Sequence, residues 1–160
     1  MTLQFTSEAS LEAAAARLGQ RWQADGLGRI SVGLSGDLGV GKTTFVRALL
    51  RGLGYTGRVP SPTYTLLEHY DVDSRTVVHL DLYRLADARE LEFLGIRDWL
   101  ARPSVWLFAE WPETGGAFAE TLDLVLDIDI GPDDSRVIRP VARTGHGQHA
   151  LDLWLEPDLK

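Results

Sequence analysis

Cysteine is absent from the 160 residues. Its absence excludes thiol catalysis, iron–sulfur clusters and cysteine-bound zinc, and it suits a reducing compartment. Asparagine is missing too, and lysine occurs only as Lys42 and Lys160, every other basic residue being arginine. No apolar run approaches the ~20 residues of a membrane helix. The start, Met1-Thr2-Leu3-Gln4-Phe5, lacks the basic stretch and apolar block of a secretory signal. A cytoplasmic location without membrane attachment is therefore expected. A basic surplus is lacking as well: 23 acidic residues against 16 basic ones leave a net charge of −7. Such a chain does not hold nucleic acid by phosphate neutralisation alone, so any nucleic acid it serves is expected to be gripped by another protein.

The hydrophobic share of 44% and charged share of 24% are those of a globular chain with enough apolar material for a core. One domain over residues 1–160 is expected from length and from the absence of repeats or linkers. Residues 8–24 carry Leu11, Ala14, Ala15, Leu18 and Trp22 on one helical stripe with Ser7 as cap, and the N-terminal unit closes near residue 28. In residues 29–35, Ile30, Val32 and Leu34 alternate as a strand; a glycine-rich loop follows, then a helix over 43–53. Strands are predicted at 64–70 and 76–80 around a turn at 71–74. The spacing Asp87-Ala88-Arg89-Glu90 predicts a capped helix to about residue 94. Val105 to Ala109 has the pattern of a strand buried on both faces. Residues 121–144 read as a hairpin of strands 122–130 and 136–142 about Gly131-Pro132-Asp133-Asp134. The expected fold is an α/β domain of three layers, α/β/α, with a mixed central sheet.

Gly36-Asp37-Leu38-Gly39-Val40-Gly41-Lys42-Thr43 matches G-x-x-x-x-G-K-[ST] in full, with Thr44 completing the cradle. The backbone of such a loop wraps a β-phosphate with its N–H groups inward, and side chains at Gly36 and Gly41 would obstruct the curve. Thr43 opens a helix whose N-terminus favours an anion. Lys42 reaches the β- and γ-phosphates, and the Thr43 hydroxyl is placed for Mg²⁺. An accidental glycine-rich turn is the plain alternative, but the strand before and helix after are the motif's own context, and with them the expected three-layer fold is like that of the P-loop nucleoside triphosphatases. A dinucleotide fingerprint fails for want of a third glycine. Without asparagine, the guanine-reading N-K-x-D motif cannot exist.

Mg²⁺ beside such a loop is usually also held by an acid at a neighbouring strand end. Asp81, after Val77-Val78-His79-Leu80, and Glu110, after Val105 to Ala109, are the candidates. Either is also explicable as a strand meeting solvent. His79 shares a face with Asp81 by alternation and reads as a packed, hydrogen-bonded residue. The segment Ser61, Pro62, Thr63, Tyr64 reads on composition as a turn.

Four blocks occur in one order: residues 36–45, Ser61-Pro62-Thr63-Tyr64-Thr65-Leu66, His79-Leu80-Asp81-Leu82-Tyr83-Arg84-Leu85, and Glu110-Trp111-Pro112. Together they resemble the bacterial TsaE (YjeE) family, the ATPase of tRNA threonylcarbamoyladenosine biosynthesis, over about residues 7–130. The resemblance implies ATP and Mg²⁺ as cofactors and slow hydrolysis that resets an assembly between modification cycles. It implies two partners: the enzyme that transfers threonylcarbamoyl to adenosine 37 of tRNAs reading codons that begin with A, and its inactive paralogue (TsaD- and TsaB-type proteins). It also implies catalytic roles for Lys42, Asp81 and Glu110, with Thr43 and Glu110 on the metal and Asp81 holding it or orienting its water shell. Ser61 to Tyr64 become a switch-like segment, and Trp111 lies beside the site. The binding parts are plain and no arginine is marked as a finger, which suits a slow, partner-dependent ATPase. A small-molecule kinase and a nucleotide-gated interaction module are the alternatives.

Overall fold

A computed structural model describes residues 1–157, so Lys160 lies outside the described residues. Seven strands form one sheet: β1 (Leu3–Phe5), β2 (Ile30–Ser35), β3 (Leu67–Val72), β4 (Arg75–Asp81), β5 (Val105–Glu110), β6 (Leu124–Ile130) and β7 (Arg136–Ala142). Their order across the sheet is β1-β7-β6-β2-β5-β4-β3. The four central strands β6, β2, β5 and β4 are parallel neighbours. β3, β7 and β1 pair antiparallel at the margins, which makes the sheet mixed as expected. Every residue of β5 is buried, as its apolar run required.

Helices α1 (Glu8–Asp25), α2 (Lys42–Gly52) and α5 (Gly145–Leu155) cover one face. Helix α1 begins where Ser7 and Ser10 exchange side-chain and backbone hydrogen bonds, and it ends at Gly26 in the left-handed conformation. Its buried stripe is the one read from sequence, Leu11, Ala14, Ala15, Leu18 and Trp22. Trp22 meets Trp106 of β5 edge-on at 5.4 Å. Both indoles are satisfied, Trp22 Nε1 donating to the Ala150 carbonyl at 3.0 Å and Trp106 Nε1 to that of Gly28 at 2.8 Å. The second face is covered by α3 (Glu90–Phe93), α4 (Ile96–Ala101) and two 3₁₀ turns within Pro112–Thr121, over Val78, Leu80, Leu107 and Ala109. No helix among the described residues is long and apolar enough to cross a membrane.

Several boundaries differ from expectation. Residues 64–66 are not strand: the Leu66 N–H donates to the Pro62 carbonyl at 2.8 Å, closing a turn, and β3 starts at Leu67. The turn expected at 71–74 shrinks to Asp73-Ser74, because Asp71 and Val72 pair with Thr76 and Arg75. The helix expected over 87–94 is helical only at Glu90–Phe93. Its capping box is half made: Glu90 accepts the Asp87 N–H, but the Asp87 carboxylate turns to the Arg89 backbone and guanidinium. Arg89 holds the Asp87 carboxyl below its ordinary pKa. β6 starts at Leu124 rather than at residue 122. Strand β1, helices α4 and α5 and the 3₁₀ turns were not anticipated.

Candidate functional site

The parallel strands β2, β4 and β5 end side by side, and in α/β sheets this carboxyl edge is where ligands bind. In register, Leu34 stands beside Glu110, and Glu110 beside Asp81. The loop from Gly36 to Thr43 leaves β2 at this edge and runs into α2. Gly36 has φ 134, and a Cβ there would strike the Ile128 carbonyl and come within 2.9 Å of Val40. Gly41 caps α2 with φ 111 and makes no side-chain cap bond. The first N–H groups of the helix, those of Lys42, Thr43 and Thr44 among them, therefore have no intrahelical acceptor.

Lys42 is buried, its side chain turned into its own loop. Nζ donates to the Gly36 carbonyl and, at 2.9 Å, to that of Asp37. It also stands over the Trp111 ring, 4.0 Å from the centroid. Burial lowers the Lys42 pKa, and Glu110, Asp81, Glu113 and Asp37 act against that shift. Trp111 holds a left-handed backbone, φ 55, which turns its ring to the loop.

The two acids converge with the loop hydroxyl. Thr43 Oγ1 donates to Glu110 Oε2 at 2.8 Å and lies 3.1 Å from Oε1. Asp81 Oδ2 accepts from Thr63 Oγ1 at 3.0 Å, and its Oδ1 accepts the Tyr83 N–H at 3.0 Å. Ser61 Oγ and Thr63 Oγ1 are 2.8 Å apart, so the Ser61–Tyr64 segment is moored to Asp81 through hydroxyls. The turn, exposed at Ser61 and Tyr64 but buried at Pro62, is thus tied to the site, whereas Tyr64 points outward under the Arg84 guanidinium, 4.6 Å from its ring centroid.

These groups line one cavity of about 480 Å³. Leu38, Gly39, Gly41, Lys42, Thr43, Thr44, Ser61, Thr63, Asp81, Glu110 and Trp111 border it, with Glu8, Tyr83 and Arg84. Of the other expected residues, Gly36, Asp37 and Val40 form the loop's base, while Pro62 and Tyr64 stand off the cavity. Lys42 and Arg84 are its cations among the described residues. A smaller apolar groove of about 400 Å³ between α3, α4 and the 3₁₀ turns holds none of the expected site residues.

Two supports escaped sequence reading. Buried Arg136 donates through Nε to the Val40 carbonyl at 3.1 Å, through one terminal nitrogen to Glu8 at 2.8 Å, and through the other to the Asp134 carbonyl at 2.7 Å. It ties the back of the phosphate loop to α1 and to the β6–β7 turn. Arg47 of α2 likewise donates to the Val59 carbonyl, at 3.1 and 3.2 Å, beneath the loop that leads to Ser61. Neither arginine carries a local motif; only the fold brings each to its carbonyl.

The model of the family described as threonylcarbamoyl adenosine biosynthesis protein TsaE matches residues 5–138. The chain belongs to the TsaE family. It is 47% identical over 125 residues to the tRNA threonylcarbamoyladenosine biosynthesis protein TsaE of Haemophilus influenzae, covering 78% of each chain. The protein of the same name from Aquifex aeolicus is 37% identical over 108 residues, 66% of this chain and 72% of that one. The crystal structure of YdiB from Bacillus subtilis superimposes with a TM-score of 0.75 at 25% identity, covering 96% of this chain and 93% of that chain. The TsaE fold, with its mixed sheet and helical layers, is therefore that of the chain described here.

Proposed function

We propose that this chain is an ATPase of tRNA N6-threonylcarbamoyladenosine formation, binding ATP with Mg²⁺ and hydrolysing it slowly to ADP and phosphate. One observation carries the proposal: in a TsaE-family chain, the complete phosphate loop, Asp81 and Glu110 meet at one strand edge around one cavity. Glycine-lined amides at the head of α2 receive the phosphates, and the Lys42 ammonium binds the β- and γ-oxygens in place of the carbonyls it now holds.

The donor set fits Mg²⁺. The described residues hold no group of three or more His, Cys, Asp or Glu side chains fit for a metal, which speaks against a cage built from protein alone. Two carboxylates and one hydroxyl, all hard oxygen donors, are what remains, and Mg²⁺ usually takes one or two carboxylates together with substrate phosphates. Thr43 and Glu110 would hold it, with Asp81 orienting its waters. Bound there, the ion would offset phosphate charge and polarise the γ-phosphoryl group. The acids otherwise outnumber the cations around the cavity, which would repel a free triphosphate.

Hydrolysis transfers the γ-phosphoryl group from the β-phosphate oxygen to water, releasing ADP and inorganic phosphate. Charge stabilisation in that transfer frequently uses an arginine. Here Arg84, the one arginine lining the cavity among the described residues, is stacked on Tyr64 rather than turned inward. That arrangement supports slow turnover by the chain alone and faster turnover with partners. The partners are the threonylcarbamoyl transferase and its inactive paralogue, the TsaD- and TsaB-type proteins, with tRNA gripped by them. The Ser61–Tyr64 segment, hung on Asp81, would register which nucleotide is bound. The assembly would work in the cytoplasm.

The test is ATP turnover by the purified chain, alone and with both partners. Slow hydrolysis that rises on adding the partners is expected. Turnover at tens per second by the isolated chain, or release of ADP that requires a small metabolite, would overturn the proposal, the latter in favour of a kinase.

A further inference from the structure

His79 sits in the middle of β4, fully buried, on the same sheet face as Val77 and Asp81. Its cross-strand neighbour on β5 is Phe108, and Glu110 lies diagonally beyond. Nε2 is 2.6 Å from Glu110 Oε2. Nδ1 has no hydrogen-bond partner among the described residues. The residues of β4 and β5 packed about it on this face, Val77, Trp106 and Phe108, belong to the apolar core. An apolar side chain would avoid stranding a buried nitrogen, so packing does not account for an imidazole here.

The hydrogen bonding assigns the donor. Glu110 Oε2 also receives the Thr43 hydroxyl at 2.8 Å. A hydroxyl and an imidazole N–H can each donate to this oxygen, and a carboxylate oxygen accepts both. His79 therefore donates from Nε2 to Glu110, and Nδ1 is left without a partner among the described residues.

We propose that His79 is the positioning residue of Glu110: its buried Nε2–H fixes the carboxylate so that the remaining lone pairs face Thr43 and the cavity. This rests on the reading that Glu110 serves a divalent cation beside bound nucleotide. Thr43 cannot do the same work throughout, because its hydroxyl is needed at the metal in that reading. His79 is held by the sheet on both sides, and among the described residues its imidazole hydrogen-bonds Glu110 alone. It touches neither phosphate nor metal, and acts only through Glu110.

The test compares His79→Gln, His79→Met and His79→Asn with the unaltered protein, measuring ADP affinity calorimetrically without metal and across a Mg²⁺ titration. Glutamine places an amide N–H at the reach of Nε2, whereas methionine removes the donor and asparagine falls short of Glu110. Metal-free ADP affinity stays unchanged in all three. The Mg²⁺ concentration at half effect rises about tenfold or more in His79→Met, the usual scale for losing a partner of a metal ligand, and His79→Gln brings it back towards the starting value. If His79→Met does not fold, His79→Asn carries the same comparison. Mg²⁺ dependence unchanged in the donor-free variant, or glutamine as damaging as methionine, overturns the role of His79. An unaltered protein whose ADP binding ignores Mg²⁺ overturns instead the metal site on which the inference rests.

Discussion

Replacing Arg136 with methionine should loosen the phosphate loop without touching the nucleotide. The guanidinium is 4% exposed, and its three nitrogens serve Val40, Glu8 and Asp134. The consequences differ among those partners. Val40 is buried, so its carbonyl would be left without a donor, a loss of about 1–3 kcal/mol. Glu8 and Asp134 have side chains 42% and 77% exposed, so water can take over their bonds. The roughly 3–5 kcal/mol of breaking a fully buried ion pair therefore does not apply. About 2–3 kcal/mol of lost stability is expected, read as a lower urea midpoint with an unchanged slope. A loop no longer held in its bound shape must be ordered by the ligand, so ADP affinity should fall about tenfold, equivalent to about 1.4 kcal/mol. Arg136→Lys should fall between, since an ammonium cannot fork to three partners. An Arg136→Met protein with unchanged ADP affinity, or one within about 0.5 kcal/mol of the original stability, would refute the tether.

Gly36→Ala should abolish measurable ADP binding in calorimetry, because its φ of 134 and the Ile128 carbonyl both forbid a Cβ. Tyr70→Phe should stabilise the protein by about 1 kcal/mol in urea denaturation, since the buried Tyr70 hydroxyl has no partner among the described residues. The same substitution tests a pH effect: burial raises the Tyr70 pKa above its ordinary 10.0. In the unfolded chain the phenol ionises first, so the contribution of Tyr70 is present below pH 10.0 and declines as pH rises towards the raised folded value. Tyr70→Phe should flatten that alkaline decline.

Much of the site was legible because its chemistry is local. A phosphate cradle needs glycines at fixed offsets and a helix start, and an acid ending an apolar run marks a strand's carboxyl end. The elements that bring Asp81 beside Glu110 followed from the same apolar patterns, since parallel pairing of β4 and β5 aligns their ends. What was illegible is long-range. Arg136 lies 96 residues from Val40, and nothing near it signals a buried guanidinium. His79 was correctly placed on the face of Asp81, but its bond to Glu110 depends on strand register. The Ser61–Tyr64 turn looked ordinary by composition, and its hold on Asp81 appears only in three dimensions. Strand β1 is three residues long, too short to show alternation, and it exists because β7 offers an edge. Helix α3 fell short of its signal because Arg89 drew the Asp87 carboxylate away from the cap.

The central claim is that this cradle drives repeated tRNA modification, and Lys42→Ala tests it most directly. The unaltered protein or the variant is combined with the transferase, its inactive paralogue, tRNA and ATP, and threonylcarbamoyladenosine is counted per transferase molecule. With the unaltered protein the yield should exceed one per transferase and should require ATP. With Lys42→Ala it should stall near a single round. Repeated rounds supported by Lys42→Ala as well as by the unaltered protein would contradict the account.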